Sequence, residues 1–322
     1  MRTATLVAAV AALFVGASGA AVAQTYPAKP VRVVVPWPPG GSNDIVGRIV
    51  AQKLSELSGQ QFIVDNRGGA SGIIGSEAVA KSQPDGYTIM IHSATHVANP
   101  HLYKKIPYDT LKDFTGISPL SAQVGVLAVH PSMPVKTVKD LIALAKARPG
   151  QITYASSGNG SFVHLTMALL NVMTDTKMIH IPYKGGGPAT VALTAGETQA
   201  MLATVGSLIP SINSGRVRPI AVSSEKRVEA YPNIPTIAES GVPGYEFTAW
   251  IGALGPAGMP KAIVDKLNAD MQKVLRMPDV AEKLKSQTLD PMFMTPEQFA
   301  RRLKSDYDKY EKVIRVSGAK IG

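Results

Sequence analysis

The chain contains no cysteine. That excludes disulfides, thiolate metal sites and a cysteine nucleophile together. At 322 residues it needs no covalent staple, since that length buries an adequate core in one large or two ordinary domains. Past the N-terminal residues, no apolar run reaches the ~20 residues that cross a bilayer as a helix. The mature protein is therefore expected to be soluble. Charged residues make up only 17% and aromatics 6%, yet a hydrophobic share of 45% belongs to a globular chain and not a disordered one. Acidic residues are the scarcer sign: 23 Asp and Glu stand against 33 Lys and Arg, for a net charge of +10. Such a field favours anionic partners. The basic residues are scattered, with no Lys/Arg run interleaved with aromatics, so nucleic acid is not an expected partner.

The N-terminus carries its own signal. Arg2 precedes an apolar run from Leu6 to Val15, then small residues and Ala21-Val22-Ala23. A charged start, a short apolar stretch and an A-x-A site predict a secretory signal peptide, residues 1–23, cleaved after Ala23. The alternative is a buried N-terminal helix. The absence of cysteine at the cleavage site excludes a lipoprotein anchor.

Short apolar runs then alternate with amphipathic stretches. Val31 to Val35 reads as a strand, Ile45 to Leu54 as a helix ended by Gly59, Phe62 to Val64 as a strand, Ile74 to Ala80 as a helix and Tyr87 to Ile91 as a strand. This βαβαβ order implies parallel strands with right-handed crossovers. A second series follows. Strands are expected at 124–129, 152–155, 178–181, 198–202 and 219–222, with helices at 137–147, 162–172 and 188–195 between them. Thr137 with Asp140, and Thr295-Pro296 with Gln298, are capping-box starts. The tail reads as helical, from Lys261 to Leu275 and from Thr295 to about Val316. Two α/β series predict two lobes: 24–120, 121–222, and 223–322 returning to the first. The crossings are expected near 107–118 and 222–235.

In open parallel sheets, ligands sit beyond the carboxyl ends of the strands. Three glycine-rich turns occupy such places. The first is Pro36-Trp37-Pro38-Pro39-Gly40-Gly41-Ser42-Asn43-Asp44, the second Ala155-Ser156-Ser157-Gly158-Asn159-Gly160-Ser161 with His164 one turn on, and the third Tyr183-Lys184-Gly185-Gly186-Gly187-Pro188-Ala189. Glycine lets backbone approach a ligand, and a helix start offers N–H groups to an anion. Trp37 reads as an exposed aromatic, and Lys184 as a positive charge near the anion or a solvated surface lysine. The second turn lacks the third glycine of a dinucleotide fingerprint, and the third turn is not followed by the G-K-[ST] of a phosphate loop. There is no G-x-S-x-G, no H-E-x-x-H and no paired-acid pattern, so catalysis is not expected. His164 reads as a structural histidine. His92, His96 and His101 form a loose cluster without further metal ligands. No cofactor and no metal are expected.

These residues resemble the Bug (TctC-type) family of periplasmic solute-binding proteins of tripartite tricarboxylate transporters. The resemblance rests on Pro36 to Asp44 with Arg48, on Pro84-Asp85-Gly86-Tyr87-Thr88, and on Asn99-Pro100 with Leu102-Tyr103 and Pro107-Tyr108-Asp109. It continues in Gly160-Ser161 with His164-Leu165, Pro182-Tyr183-Lys184-Gly185, Val242-Pro243-Gly244-Tyr245-Glu246, and Gly255-Pro256-Ala257-Gly258. It implies a type II periplasmic binding protein: two Rossmann-like α/β lobes, a hinge, and a small carboxylate clamped between them. It also implies delivery to membrane subunits (TctA- and TctB-like) and, by default, a monomer. By position, Trp37 to Asp44 form one jaw, Ser157 to Ser161 with His164 and Lys184 to Gly186 the other, and Thr95, His96 and Asn99 a third segment. Two positions depart from the family pattern. Gly47 stands where alanine is usual, which is expected to loosen the first helix. Ala203-Thr204 stands where many members carry Asp, which argues against an amino-acid ligand. Citrate-like acids, short dicarboxylates, nicotinate-like and terephthalate-like acids all remain open. The rival readings are a periplasmic sensor presenting a carboxylate to a signalling receptor, and a secreted α/β hydrolase or transferase.

Overall fold

The computed structural model describes residues 26–318 apart from 230 and 288; the expected signal peptide lies outside the described residues. Strand β1 (Val31–Val35) is a run of valines interrupted by Arg32, buried on both faces as a parallel strand must be. Helix α1 (Ser42–Ser58) buries Val46, Gly47, Val50, Ala51 and Leu54 and ends at Gly59, whose φ of 70° is the left-handed cap. A Cβ on Gly47 would stand 3.0 Å from a Val35 methyl. The missing side chain lets the helix lie close on β1, so Gly47 serves packing. Strands β2 (Phe62–Asn66) and β3 (Thr88–Ser93), with helix α2 (Ile73–Ala80) between them, both pair parallel with β1, as the alternation predicts.

Helix α3 (Thr95–Leu102) escapes the sequence reading because Pro100 lies inside it. Strand β4 (Phe114–Val129) is far longer than the expected 124–129, since Gly116 and Pro119 disguise its first half. Helix α4 (Val138–Ala147) carries the anticipated capping box. Then come β5 (Thr153–Ser156), α5 (Phe162–Thr174), β6 (Ile179–Pro182), α6 (Gly186–Ala195), β7 (Ala200–Thr204), α7 (Val205–Asn213) and β8 (Arg218–Val222). The chain returns through β9 (Thr248–Pro256), α8 (Lys261–Leu275), α9 (Pro278–Ser286), β10 (Asp290–Pro291) and α10 (Pro296–Ser317), whose capping box was also legible.

Strand β4 joins two sheets. From Phe114 to Val124 it pairs antiparallel with β9, in the order β2-β1-β3-β9-β4, and β10 pairs with it as well. From Gly125 it pairs antiparallel with β7 and, from Val126, with β8; β5 and β6 continue from β7 in parallel. The partner exchange falls on Gly125. There a Cβ would lie 2.3 Å from a Leu202 methyl and 3.1 Å from the Ser223 hydroxyl.

One apolar cluster packs the first sheet against α1 and α8, and another packs the second sheet against α6 and α7. A third runs through both sheets, joining Met90, Trp250 and Phe299 to Leu127, Leu165 and Leu202. Helix α10 lies across that third cluster, contacting α3, β4 and α5. Replacing Gly125 by alanine is expected to destabilise the fold by about 1–3 kcal/mol through overpacking at the crossover. Urea denaturation should show a lower midpoint at unchanged slope.

Candidate ligand site at the junction of the sheets

The strand register fixes where the turns point. Strand β9 starts with Thr248 opposite Val124, so the Thr248 end lies at the junction. Strand β3 runs against β9 with Ser93 opposite Ile251, so its carboxyl end faces the junction, and parallel β1 shares that direction. In the second sheet Thr204 lies opposite Gly125, so the carboxyl end of β7 faces the junction too. Strands β5 and β6, parallel to β7 in succession, follow it. The turns after β1, β3, β5, β6 and β7 therefore all leave their sheets toward the boundary between the two halves.

The first turn is locked by its own acid. Asp44 is 3% exposed. Its Oδ2 accepts from the Gly40 N–H at 2.9 Å and from Arg48 Nε at 3.0 Å. Its Oδ1 accepts from Asn66 Nδ2 at 2.9 Å, and the same amide donates to the Trp37 carbonyl at 3.0 Å. Burial alone would raise this carboxyl, but its hydrogen-bond donors outweigh burial and hold it below the usual range. Gly40 has φ 89°, a left-handed value that this tight return requires. Trp37, expected to be exposed, is half-buried, its ring edge-on to His92 with centroids 5.8 Å apart. Pro38, Gly40 and Gly41 are exposed, while Ser42 and Asn43 are partly so.

The third segment lies deeper. Thr95 is partly exposed at the start of α3, where its hydroxyl accepts from Ser93 Oγ at 3.2 Å. His96 and Asn99 are fully buried. The His96 ring packs on Phe114 at 4.6 Å, and Asn99 Nδ2 donates to the Ser71 carbonyl at 3.0 Å. That bond pins a turn in which Ala70 and Ser71 both have positive φ.

The second turn is locked by two histidines. His164 Nδ1 accepts from the Gly160 N–H at 3.1 Å, so that nitrogen carries no proton. His180 stacks on His164 with centroids 3.8 Å apart and planes 5° from parallel, and Tyr154 stacks on His180 at 5.2 Å. His180 Nε2 lies 2.5 Å from Ser156 Oγ, which accepts from the Gly158 N–H at 3.1 Å. Ser156 and His180 form the oriented hydroxyl–imidazole pair that sequence spacing did not reveal, 24 residues apart. Ser156 is fully buried and its hydroxyl is bonded inside the turn, so the pair holds backbone in place. Sequence reasoning also missed Tyr154; an aromatic and a histidine on neighbouring parallel strands were the available hint.

Three N–H groups, those of Gly40, Gly158 and Gly160, are thus bonded within the turns. The open donors lie at the helix starts, where no intrahelical acceptor exists. Among the described residues these starts include Ser42 and Asn43 on α1, Phe162 and Val163 on α5, and Gly186 and Gly187 on α6. Ser161 caps α5 by accepting from the His164 N–H at 3.3 Å. Gly185 has φ 109° and caps α6 without a side chain. Ser157 is partly exposed, whereas Asn159 and Lys184 are exposed; Lys184 makes no ion pair among the described residues. Thr204 Oγ1 donates to Ser207 Oγ at 3.2 Å at the head of α7, where no acidic side chain stands. Helix starts add partial positive charge, so this junction suits an anion. Among the described residues no group of three or more potential metal ligands occurs.

A family model described as "Tripartite tricarboxylate transporter family receptor", TctC, matches residues 46–319. The chain belongs to the TctC family. BugT of Bordetella pertussis is 35% identical over 318 residues, covering 97% of this chain and 98% of BugT. The solved structure of R. palustris Rpa4515 with adipate is similar at a TM-score of 0.76 and 35% identity, covering 92% of this chain and all of that one. MatC from Rhodopseudomonas palustris with bound malate is similar at a TM-score of 0.72 and 29% identity, covering 90% of this chain and all of that one. The resemblance read from the motifs is thereby confirmed, as is the α/β architecture of TctC solute-binding proteins.

In this TctC protein the His164 lock requires a neutral imidazole, because Nδ1 accepts the Gly160 N–H. Burial pushes His164 and His180 down to about 4, and each ring's nearest stacking neighbour is another imidazole. Burial also pushes His96 down to about 3 and His92 well below the ordinary range. An unfolded histidine binds its proton near pH 6.5 while these folded ones do not, so stability is full above pH 6.5 and falls as pH drops toward 4. Urea midpoints between pH 7 and pH 4 should decline accordingly, and His180→Gln, which cannot titrate, should flatten the slope.

Proposed function

We propose that this TctC protein is a periplasmic solute-binding protein that captures a small organic carboxylate and delivers it to the membrane subunits of a tripartite tricarboxylate-type transporter. The observation that carries the proposal is the convergence, through strand register, of several helix starts with open N–H groups on one junction. Residues 24–120 with 223–322 would form one lobe and 121–222 the other, the exchange of β4 partners marking the hinge. The ligand residues we assign are Trp37 to Asn43 and Thr95 on one side, with Ser157 to Ser161, Lys184 to Gly186 and Thr204 on the other. Asp44, His96, Asn99 and His164 act behind them by holding the turns. Export through a signal peptide cleaved after Ala23 fits the first residues of the sequence.

The ligand class follows from what the turns offer. Asp44 is the one acid in them, and its oxygens already face Gly40, Arg48 and Asn66. No carboxylate is left to receive an ammonium group, so a carboxylate without an amino group is favoured. Relatives whose structures contain adipate and malate support dicarboxylates of about that size.

A thermal-shift screen of C4 to C6 dicarboxylates, aromatic acids and amino acids tests this. At a hundredfold excess over Kd, a specific binder adds about 2.7 kcal/mol of stability. We expect a dicarboxylate to give the largest shift and to reduce the radius of gyration in small-angle scattering. An amino acid as the tightest ligand, or saturation without compaction, would contradict the proposal.

A further inference from the structure

We propose that the tripeptide Tyr245-Glu246-Phe247 is a positioning joint that fixes the head of α5, and with it the 157–161 turn, to both α10 and the crossing strands. The proposal rests on the reading of that turn as part of the ligand site. The motif Val242 to Glu246 stood out in the sequence without a role, and the three residues now each grip a different element.

Tyr245 is 1% exposed, and its hydroxyl donates to the Thr166 carbonyl, in the second turn of α5, at 2.9 Å. Thr166 Oγ1 lies within hydrogen-bond distance of the Phe162 and Val163 carbonyls of α5, at 3.0 and 3.1 Å, and of the Leu202 carbonyl of β7, at 3.2 Å. Glu246 faces the other way. Its Oε2 accepts from Lys309 Nζ at 2.6 Å, and its Oε1 accepts from Arg302 Nη2 at 3.3 Å and from the Thr248 N–H at 2.8 Å. Both cations belong to α10. Arg302 also donates to Asp306 at 2.7 Å, and Asp306 accepts from Trp250 Nε1 at 3.0 Å. Helix α10 is thus clamped onto the entry of β9.

Phe247 closes the joint. Its ring meets Phe162, the first residue of α5, at 5.7 Å, and Tyr310 of α10 at 5.3 Å. Its N–H donates to the Ser223 carbonyl at 2.8 Å, and its carbonyl accepts from Ser223 Oγ at 2.7 Å. That hydroxyl also receives the Gly125 N–H at 2.8 Å. One short extended segment therefore holds the head of α5, the helix spanning both sheets, and the point where β4 changes partners. A shift of the α5 head must strain buried bonds at all three, so movement at the ligand turn is transmitted to α10.

Hydrogen–deuterium exchange on the ligand-free full chain tests the joint. Tyr245→Phe removes one hydroxyl and keeps the ring. Amides of 162–170 should exchange about fivefold faster, the factor of one ordinary hydrogen bond. Amides of 302–313 should also accelerate, although no bond to α10 was cut. Glu246→Gln should give the reciprocal pattern, and it carries the test alone should Tyr245→Phe fail to fold. Acceleration confined to the helix whose bond was cut, or spread evenly through α1 and α4, overturns the proposal. A second arm titrates adipate and malate by calorimetry. Several-fold weaker binding to Tyr245→Phe is expected, and equal affinity overturns the positioning role. If the unaltered protein binds neither acid, the ligand reading fails on its own, and the exchange data still decide the joint.

Discussion

The antiparallel pairing of β4 is the constraint on which the rest depends. A single strand of 16 residues serves two sheets, and its register decides which ends of the other strands face each other. Once Thr248 lies opposite Val124 and Thr204 opposite Gly125, the carboxyl ends of β1, β3, β5, β6 and β7 have no choice of direction. The helix that follows each strand then starts at the junction, because a right-handed crossover must begin where its strand ends. A slip of one residue at Gly125 would turn inward faces outward along the second sheet. Crowding by Leu202 and Ser223 around Gly125 makes such a slip costly.

The turns themselves are rigid for two different chemical reasons. The first is held by a buried carboxylate that gathers an N–H, a guanidinium and an amide. The second is held by uncharged imidazoles, one accepting an N–H directly and the other acting through Ser156. An ionised acid and neutral bases make opposite demands on pH. The acid stays charged down to low pH, whereas His164 loses its acceptor nitrogen on protonation. The second turn is therefore the more sensitive to acidification. It is also the one tied by Tyr245 and Phe247 to the helix that spans both sheets.

Most of the framework was legible because local rules governed it. The valines of β1, the Gly59 cap and the two capping boxes each sit where propensity and tertiary packing agree. What stayed hidden was long-range. Strand β4 carries Gly116, and β9 carries Gly252 and Gly255, because neighbouring side chains fill the space a Cβ would take. Those glycines read as turns when the neighbours are unknown. In the turns, sequence reasoning grouped all members together as ligand residues. Asp44 and His164 were counted with residues facing a ligand, whereas both Asp44 oxygens accept from Gly40, Arg48 and Asn66, and His164 Nδ1 accepts from Gly160. Ser156 and His180 were missed because only the pairing of β5 with β6 brings them together.

Recognition through helix starts has a consequence for selectivity. On the proposed reading a backbone N–H cannot change identity, so discrimination among acids would depend on the distance between donors on opposite lobes. That distance would be set by the hinge angle and by how α10 and the crossing strands hold the lobes. Relatives with adipate and with malate share this architecture, at 35% and 29% identity to this chain. On the proposed reading, acids of different length select different degrees of closure of one donor set. Substitutions at the joint before β9 would then alter which acid fits without touching it, because they change where the second jaw stands and leave its chemistry intact.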